Sequence, residues 1–185
     1  MFTIGFIGTR DGMTEIQRHT VLGLVLSANS RYETKIRGAH GDLIGADVQF
    51  HGICAYVGAP IVIRPPIIDS WRAWLGTERA IKLGSEFEGW PEIEVIHEPD
   101  DPFCSRRRII AVSDVMIAAP VSSAEAEKGV TWAGIRQARR TRPQKPVFIV
   151  SPEGHIFVEQ WTFLEKAPKW WELGGVEVLF SADNR

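Results

Sequence analysis

Along the chain, short apolar runs of strand length alternate with stretches in which apolar side chains recur at helical spacing. Phe2 to Gly8 is a buried-type strand that stops at the turn Gly8-Thr9-Arg10-Asp11-Gly12. Thr14 stands where it caps a helix carrying Ile16, Val21, Leu22, Val25 and Leu26 at roughly helical spacing. Tyr32 to His40 is a second strand, more polar than the first because it carries Glu33, Lys35 and Arg37. It runs into Gly41-Asp42-Leu43-Ile44-Gly45-Ala46-Asp47 and then a helix with Val48, Ile53, Cys54 and Val57 facing inward. Ile61 to Ile63 is a third strand, stopped by Pro65 and Pro66.

The second half repeats the alternation. Glu92 to His97 alternates as a strand, and Pro102 starts a helix that bears Arg106 to Ile110. Asp114 to Ala119 is an apolar strand, followed by a helix from Val130 to Arg140 with Trp132, Ile135 and Ala138 on one side. Pro146 to Val150 and His155 to Val158 flank Ser-Pro-Glu-Gly, a hairpin signal, and Val176 to Phe180 is the last strand. Strands separated by crossover-length helices predict an α/β fold: a Rossmann-like, doubly wound, mostly parallel sheet with helices on both faces. Residues 1–185 are read as one domain, with an excursion at about 67–90 and a carboxyl-terminal extension at about 153–185. Ile67 to Trp90 has no clean period; its tryptophans, Trp71, Trp74 and Trp90, suit either a lid over a site or simple packing onto the body.

Composition narrows the function classes. With 185 residues, 44% of them hydrophobic, the chain suits one well-buried domain. A net charge of −2 argues against a nucleic-acid-coating protein, so nucleic acid is not the expected partner. Cys54 and Cys104 make no disulfide framework and read as reduced thiols of a cytoplasmic protein. No apolar run reaches membrane-spanning length, so no membrane partner is expected. Neither G-x-G-x-x-G nor G-x-x-x-x-G-K-[ST] occurs, the cysteines and histidines are too scattered for a zinc site, and no G-x-S-x-G elbow is present. No cofactor and no metal are expected.

In a doubly wound sheet, turns that leave strand carboxyl ends share one crevice, and helix amino termini there attract anions. The turns at Gly8 to Gly12, Gly38 to Gly45, Pro65-Pro66 and Pro120 to Gly129 therefore supply the candidates: Gly8, Thr9, Arg10, His40, Asp42, Asp47, Arg106, Arg108, Pro120, Glu125, Glu127, Gly129 and Thr131. Arg10 reads as a phosphate contact or as a solvated loop arginine. His40 and Asp42, either side of Gly41, read as a polar site or as a capping arrangement. Asp47 in the first helical turn serves either a ligand or the helix dipole. Arg106, Arg107 and Arg108 leave a helix in three directions, so one or two of them at most reach a common crevice. Glu125 and Glu127 sit in a loop of small residues, where solvated carboxylates are the alternative to a site.

Gly-Thr-Arg after the first strand, Gly-Ala-His-Gly-Asp-Leu-Ile-Gly-Ala-Asp after the second, the arginine helix, Ser-Asp-Val-Met-Ile-Ala-Ala-Pro, and Gly-Val-Thr-Trp opening a helix together resemble the SLOG superfamily. That group holds the LOG-type nucleotide phosphoribohydrolases ("lysine decarboxylase-like" proteins), molybdenum-cofactor carriers and the Rossmann domain of DNA-processing protein A. The resemblance spans roughly Phe2 to Pro152 and is greatest to bacterial and viral members with H-G-D-x-x-G-A-D and G-T-W, the latter interrupted here by Val130. It implies a phosphate-binding turn at Gly129 and Thr131, a substrate-contacting arginine at Arg106 or Arg108, and a homodimer or higher homo-oligomer. The tryptophan-rich tail around Trp161, Trp170 and Trp171 offers a surface for that association or packs on its own chain. The chain departs from the LOG motif P-G-G-x-G-T-x-x-E: a longer loop follows Pro120, and the position of the assisting glutamate is Gly134.

Two functions are expected from this reading. In the first, the protein binds a small phosphorylated nucleotide or an ADP-ribose-type ligand, sensing, carrying or sequestering it, a viral sponge for a nucleotide signal being one form. The alternative is a phosphoribohydrolase that cleaves the N-glycosidic bond of nucleoside monophosphates, with Glu125 or Asp42 as the catalytic carboxylate.

Overall fold

The structure, a computed structural model, describes residues 1–31, 35–77, 92–141, 143, 145–159 and 178–180. Eight strands form one sheet: β1 (Phe2–Gly8), β2 (Ile36–His40), β3 (Ile61–Ile63), β4 (Ile93–Ile96), β5 (Val115–Ala119), β6 (Val147–Val150), β7 (Ile156–Glu159) and β8 (Val178–Phe180), in the order β4-β3-β2-β1-β5-β6-β7-β8. β1 to β6 run parallel, β7 turns back antiparallel to β6, and β8 lies parallel to β7. Helices α1 (Glu15–Arg31), α2 (Ala46–Tyr56), α3 (Pro102–Val112) and α4 (Val130–Arg140) connect the strands.

The two faces of the sheet are covered by different helix pairs. Val21, Leu24 and Val25 of α1 and Phe50, Ile53 and Cys54 of α2 pack with Ile4, Phe6, Val115 and Ile117 on one face. Ile109 and Ile110 of α3 and Trp132, Ile135 and Ala138 of α4 pack with Ile7, Met116 and Ala118 on the other. Successive strand residues thus enter opposite cores, and for that reason β5 is apolar throughout and β1 nearly so, Thr3 being its one polar residue, instead of alternating with polar residues. The fold is doubly wound and Rossmann-like, as the alternation of periods predicts.

The chain winds outward from β1 through β2, β3 and β4, then returns to lay β5 against the other side of β1. At such a reversal the two crossovers leave in opposite directions, and a crevice opens above the carboxyl ends of the flanking strands.

Several boundaries differ from the sequence reading. The second strand begins at Ile36, not Tyr32, and residues 32–34 are outside the described part. On α1, Ile16 and Leu26 face solvent, at 56% and 39% exposure, while Leu24 and Ala28 are in the core. The chain between Ala28 and the amino end of α1 turns a narrower stripe inward than the apolar pattern marks. Trp90, Trp161, Trp170 and Trp171, with most of the 67–90 excursion and of the tail, lie outside the described residues. The hairpin between β6 and β7 forms around Gly154, whose φ of 86° suits a residue without a side chain.

Candidate functional site

Each helix N-terminus presents unpaired N–H groups, and what closes them decides where an anion is held. At α1, Thr14 Oγ1 accepts from Gln17 N–H at 3.1 Å while Gln17 Oε1 accepts from Thr14 N–H at 3.0 Å, a reciprocal capping box. At α2, Ala46 N–H donates to the Thr9 carbonyl at 2.9 Å. At α3, Asp101 accepts from Phe103 N–H at 2.9 Å and Cys104 N–H at 3.4 Å. Among the four α-helices only α4 starts on a residue, Gly129, with neither a capping side chain nor such a backbone partner from another loop. The open helix start therefore follows β5, at the strand reversal.

A cleft lies beside it. Gly8 from β1, Gly41, Leu43 and Asp47 from the β2 connection, Ser105, Arg106 and Ile109 from α3, and Val130 from α4 line it, with Pro66 and Trp71 closing one wall. It is a narrow slot: about 40 Å3 is open to water centres, room for about three waters. A Cβ at Gly8 would collide with the Cβ of Ala46, so the close approach of β1 to α2 requires glycine.

Asp47 is the ionisable carboxyl of the slot. It is 3% exposed, and its Oδ2 accepts from both Gly41 N–H at 2.9 Å and Leu43 N–H at 3.1 Å. Burial outweighs these two bonds and pushes its pKa up to about 7, with the neighbouring Asp42 adding to the rise. Arg106 is the cation of the slot. Its Nε donates to Gln137 Oε1 at 2.8 Å and Nη1 to the Val130 carbonyl at 3.2 Å, so the guanidinium is held beside the start of α4.

His40 and Asp42 sit below the slot as supports. Asp42 N–H donates to His40 Nδ1 at 3.0 Å, so the His40 proton is on Nε2, which donates to His51 Nδ1 at 2.9 Å; His51 is accordingly protonated on Nε2. Burial, then the neighbouring His51, holds the His40 pKa well below its usual value, and burial pulls His51 down to about 4. The 3.9 Å approach of His40 Nδ1 to Asp47 Oδ2 is therefore a contact of a neutral imidazole, not an ion pair. Asp42, at φ 60° and fully buried, accepts from Arg72 Nε at 3.0 Å and Leu75 N–H at 2.8 Å. It anchors a strap, residues 66–77, whose Trp71 forms the slot wall. Arg10 covers that indole from outside, its guanidinium carbon 4.8 Å from the ring centroid.

The remaining candidates are elsewhere or inward. Thr9 gives its carbonyl to α2 and its hydroxyl accepts from Asp11 N–H at 3.0 Å. Arg108 is 56% exposed and pairs with Asp100 at 2.8 Å, so Arg106 alone of the triple reaches the slot. Pro120 is buried and its carbonyl accepts from Gln17 Nε2 at 2.8 Å. Thr131 is 5% exposed, in the first turn of α4. Glu125 lies outside the slot, held as a carboxylate by Arg139 at 2.7 Å and Arg136 at 3.2 Å; the hydrogen bond from Arg139 leads the fall in its pKa. Glu127 also lies outside, its carbonyl accepting from Arg136 Nη2 at 2.9 Å. At Gly134 a Cβ would stand 2.8 Å from Ile7 Cδ1 and 3.0 Å from Arg106 Cδ, so the stem of Arg106 passes through the space of a side chain there.

Sequence reasoning missed Trp71 as a slot wall and Gln17 as a fastener. Gln17 also donates to the Val150 carbonyl at 2.9 Å, so one amide ties the start of α1 to the ends of β5 and β6. The spacing Thr14-x-x-Gln17 before an apolar pattern was a readable signal for its capping half.

Among the described residues no group of histidine, cysteine and carboxylate side chains forms a metal site, and no helix is long and apolar enough to cross a membrane. No family model, curated protein or solved structure matches the chain. Fold and site together define a doubly wound α/β protein with a slot at its strand reversal.

Proposed function

We propose that the protein binds a small phosphorylated nucleotide in the slot above β1 and β5. The observation that carries this reading is the convergence, at the strand reversal, of an uncapped helix start at Gly129–Val130 with the half-buried guanidinium of Arg106. Donors of both kinds suit a phosphate, and the apolar walls Leu43, Pro66, Trp71 and Ile109 suit a planar base. The slot admits waters only, so a base enters when Trp71 moves outward with its strap.

Calorimetric titration with AMP and ADP-ribose tests the reading. Binding is expected, and Arg106→Ala is expected to weaken it roughly tenfold or more, the usual share of a charge-assisted contact. Equal affinity of variant and wild type removes Arg106 from the site.

Hydrolysis of the N-glycosidic bond is a second reading, favoured by one observation. Asp47, in place of Glu125 or Asp42, is the carboxyl that lines the slot, and burial pushes its pKa up to about 7. Release of free base from AMP, lost in Asp47→Asn, supports it; intact AMP after prolonged incubation supports binding alone.

A further inference from the structure

Arg106 borders a second cavity. Between α3 and α4 runs an open groove with about 550 Å3 available to water centres, lined by Arg106, Arg107, Arg136 and Arg140, with the amide of Gln137 between them and Phe103 at the rim. Among the described residues no carboxylate lines it. Arg136 shares Glu125 with Arg139, which also binds Glu159, so these four charges compensate. Arg106, Arg107 and Arg140 make no ion pair among the described residues, which concentrates positive charge in a chain of net charge −2. A cleft lined by one sign of charge draws counter-ions to itself.

Two features choose the anion. Ala133 to Thr141 spans about 12 Å at the helical rise, the length of a short phosphate chain rather than of an extended polynucleotide. Arg106, moreover, is a wall of both groove and slot, and its guanidinium is held in place by Gln137 and the Val130 carbonyl. Fixed donors lose little freedom on binding.

We infer that the α3–α4 groove takes the outer phosphates of a nucleotide whose base lies in the slot, with Arg106 on the phosphate nearest the ribose and Arg107 and Arg140 on those beyond. The ligand class is then a nucleoside polyphosphate or a pyrophosphate-linked nucleotide, not a monophosphate. This rests on the nucleotide reading of the slot.

The test is calorimetric titration of the full chain with AMP, ADP, ATP and inorganic tripolyphosphate, for wild type and for the double variant Arg107→Gln/Arg140→Gln. Both side chains are exposed, and circular dichroism checks that the variant is folded. ATP is expected to bind at least tenfold tighter than AMP, and the double variant to lose that gain while its AMP affinity is unchanged. ATP no tighter than AMP, or an equal loss for both in the variant, overturns the inference and leaves the slot reading standing. Tripolyphosphate binding that depends on the two arginines, without AMP binding, shows an anion groove unconnected with a nucleotide and removes the slot reading together with the inference; no binding of any probe also removes both. A single-stranded oligonucleotide that outcompetes ATP and is lost in the same variant makes the groove a nucleic-acid face and overturns the inference.

Discussion

Replacing Asp47 by asparagine isolates the cost of keeping a carboxyl in the slot wall. Both N–H groups that reach Asp47 end on Oδ2, so the one carbonyl oxygen of asparagine can receive them both. The shape and the hydrogen bonds persist while the ionisation disappears. In wild type the pKa rises from 3.8 in a free aspartate to about 7 in the fold. Between those values the folded chain keeps a proton that the unfolded chain has released, so the stability contributed by the protonated form is complete below 3.8 and is lost as pH rises through about 7. A shift of about three units at 1.36 kcal/mol each amounts to about 4 kcal/mol. The groups facing Asp47 are His40 at 3.9 Å, whose pKa burial holds well below its usual value, and Asp42, whose own pKa burial raises against the pull of Leu75 N–H and Arg72. His40 and His51 add a pH slope of the opposite sign, because burial lowers their pKa values, but that slope is common to both proteins and cancels in their difference. Urea unfolding at several pH values from 4 to 8 measures it. The stability of Asp47→Asn relative to wild type is expected to be near zero at the acid end, to climb toward about 4 kcal/mol by pH 7, and to level off above. A difference that stays flat with pH, or that falls as pH rises, refutes the argument that burial controls this carboxyl.

Two further substitutions test the supports of the site. Gln17→Leu leaves the buried carbonyls of Pro120 and Val150 without their partner and opens the capping box, so unfolding free energy should fall by about 2–4 kcal/mol; a denaturation midpoint equal to wild type would show that the carbonyls find other donors. Gly134→Ala forces a methyl against Ile7 and the Arg106 stem, which should cost about 1–3 kcal/mol and weaken nucleotide binding as Arg106 is displaced; unchanged stability and affinity would place Arg106 farther from α4 than the geometry has it.

The parallel core was legible because burial on both faces leaves a signal that survives in one sequence: uninterrupted apolar strands such as Val115 to Ala119, punctuated by helices with one apolar side. The hairpin was legible through its turn residues. The site was only half legible. Position in the sequence brought Gly8, Asp47 and Arg106 to the same sheet edge, and all three line the slot. It could not show that both aspartates hold loops, Asp47 through Gly41 and Leu43 N–H and Asp42 through Arg72 and Leu75, while Asp47 alone of the two lines the slot. Arg72 lies 30 residues away, and nothing in the local pattern reports such a partner. Glu125 escaped for the same reason, since its arginines come from the exposed side of α4.

The strap over residues 66–77 gives the molecule a second, smaller folding unit. Its buried side chains are Pro66, Arg72 and Leu75, and besides Asp42 it is tied by the Trp71 carbonyl, which accepts from Ile44 N–H, and by Ile67 N–H, which donates to the Asp100 carbonyl, so lifting it breaks a handful of bonds and exposes far less apolar surface than unfolding the sheet. Under the proposed nucleotide reading, local opening of this segment, well below the cost of global unfolding, is the route by which the slot would exchange its waters for a base. Affinity then belongs to the closed state and access to the open one. On the same reading, a ligand whose ring fits the closed slot better would dwell longer without arriving sooner, because its entry waits on the strap releasing its bonds to Asp42, Ile44 and Asp100.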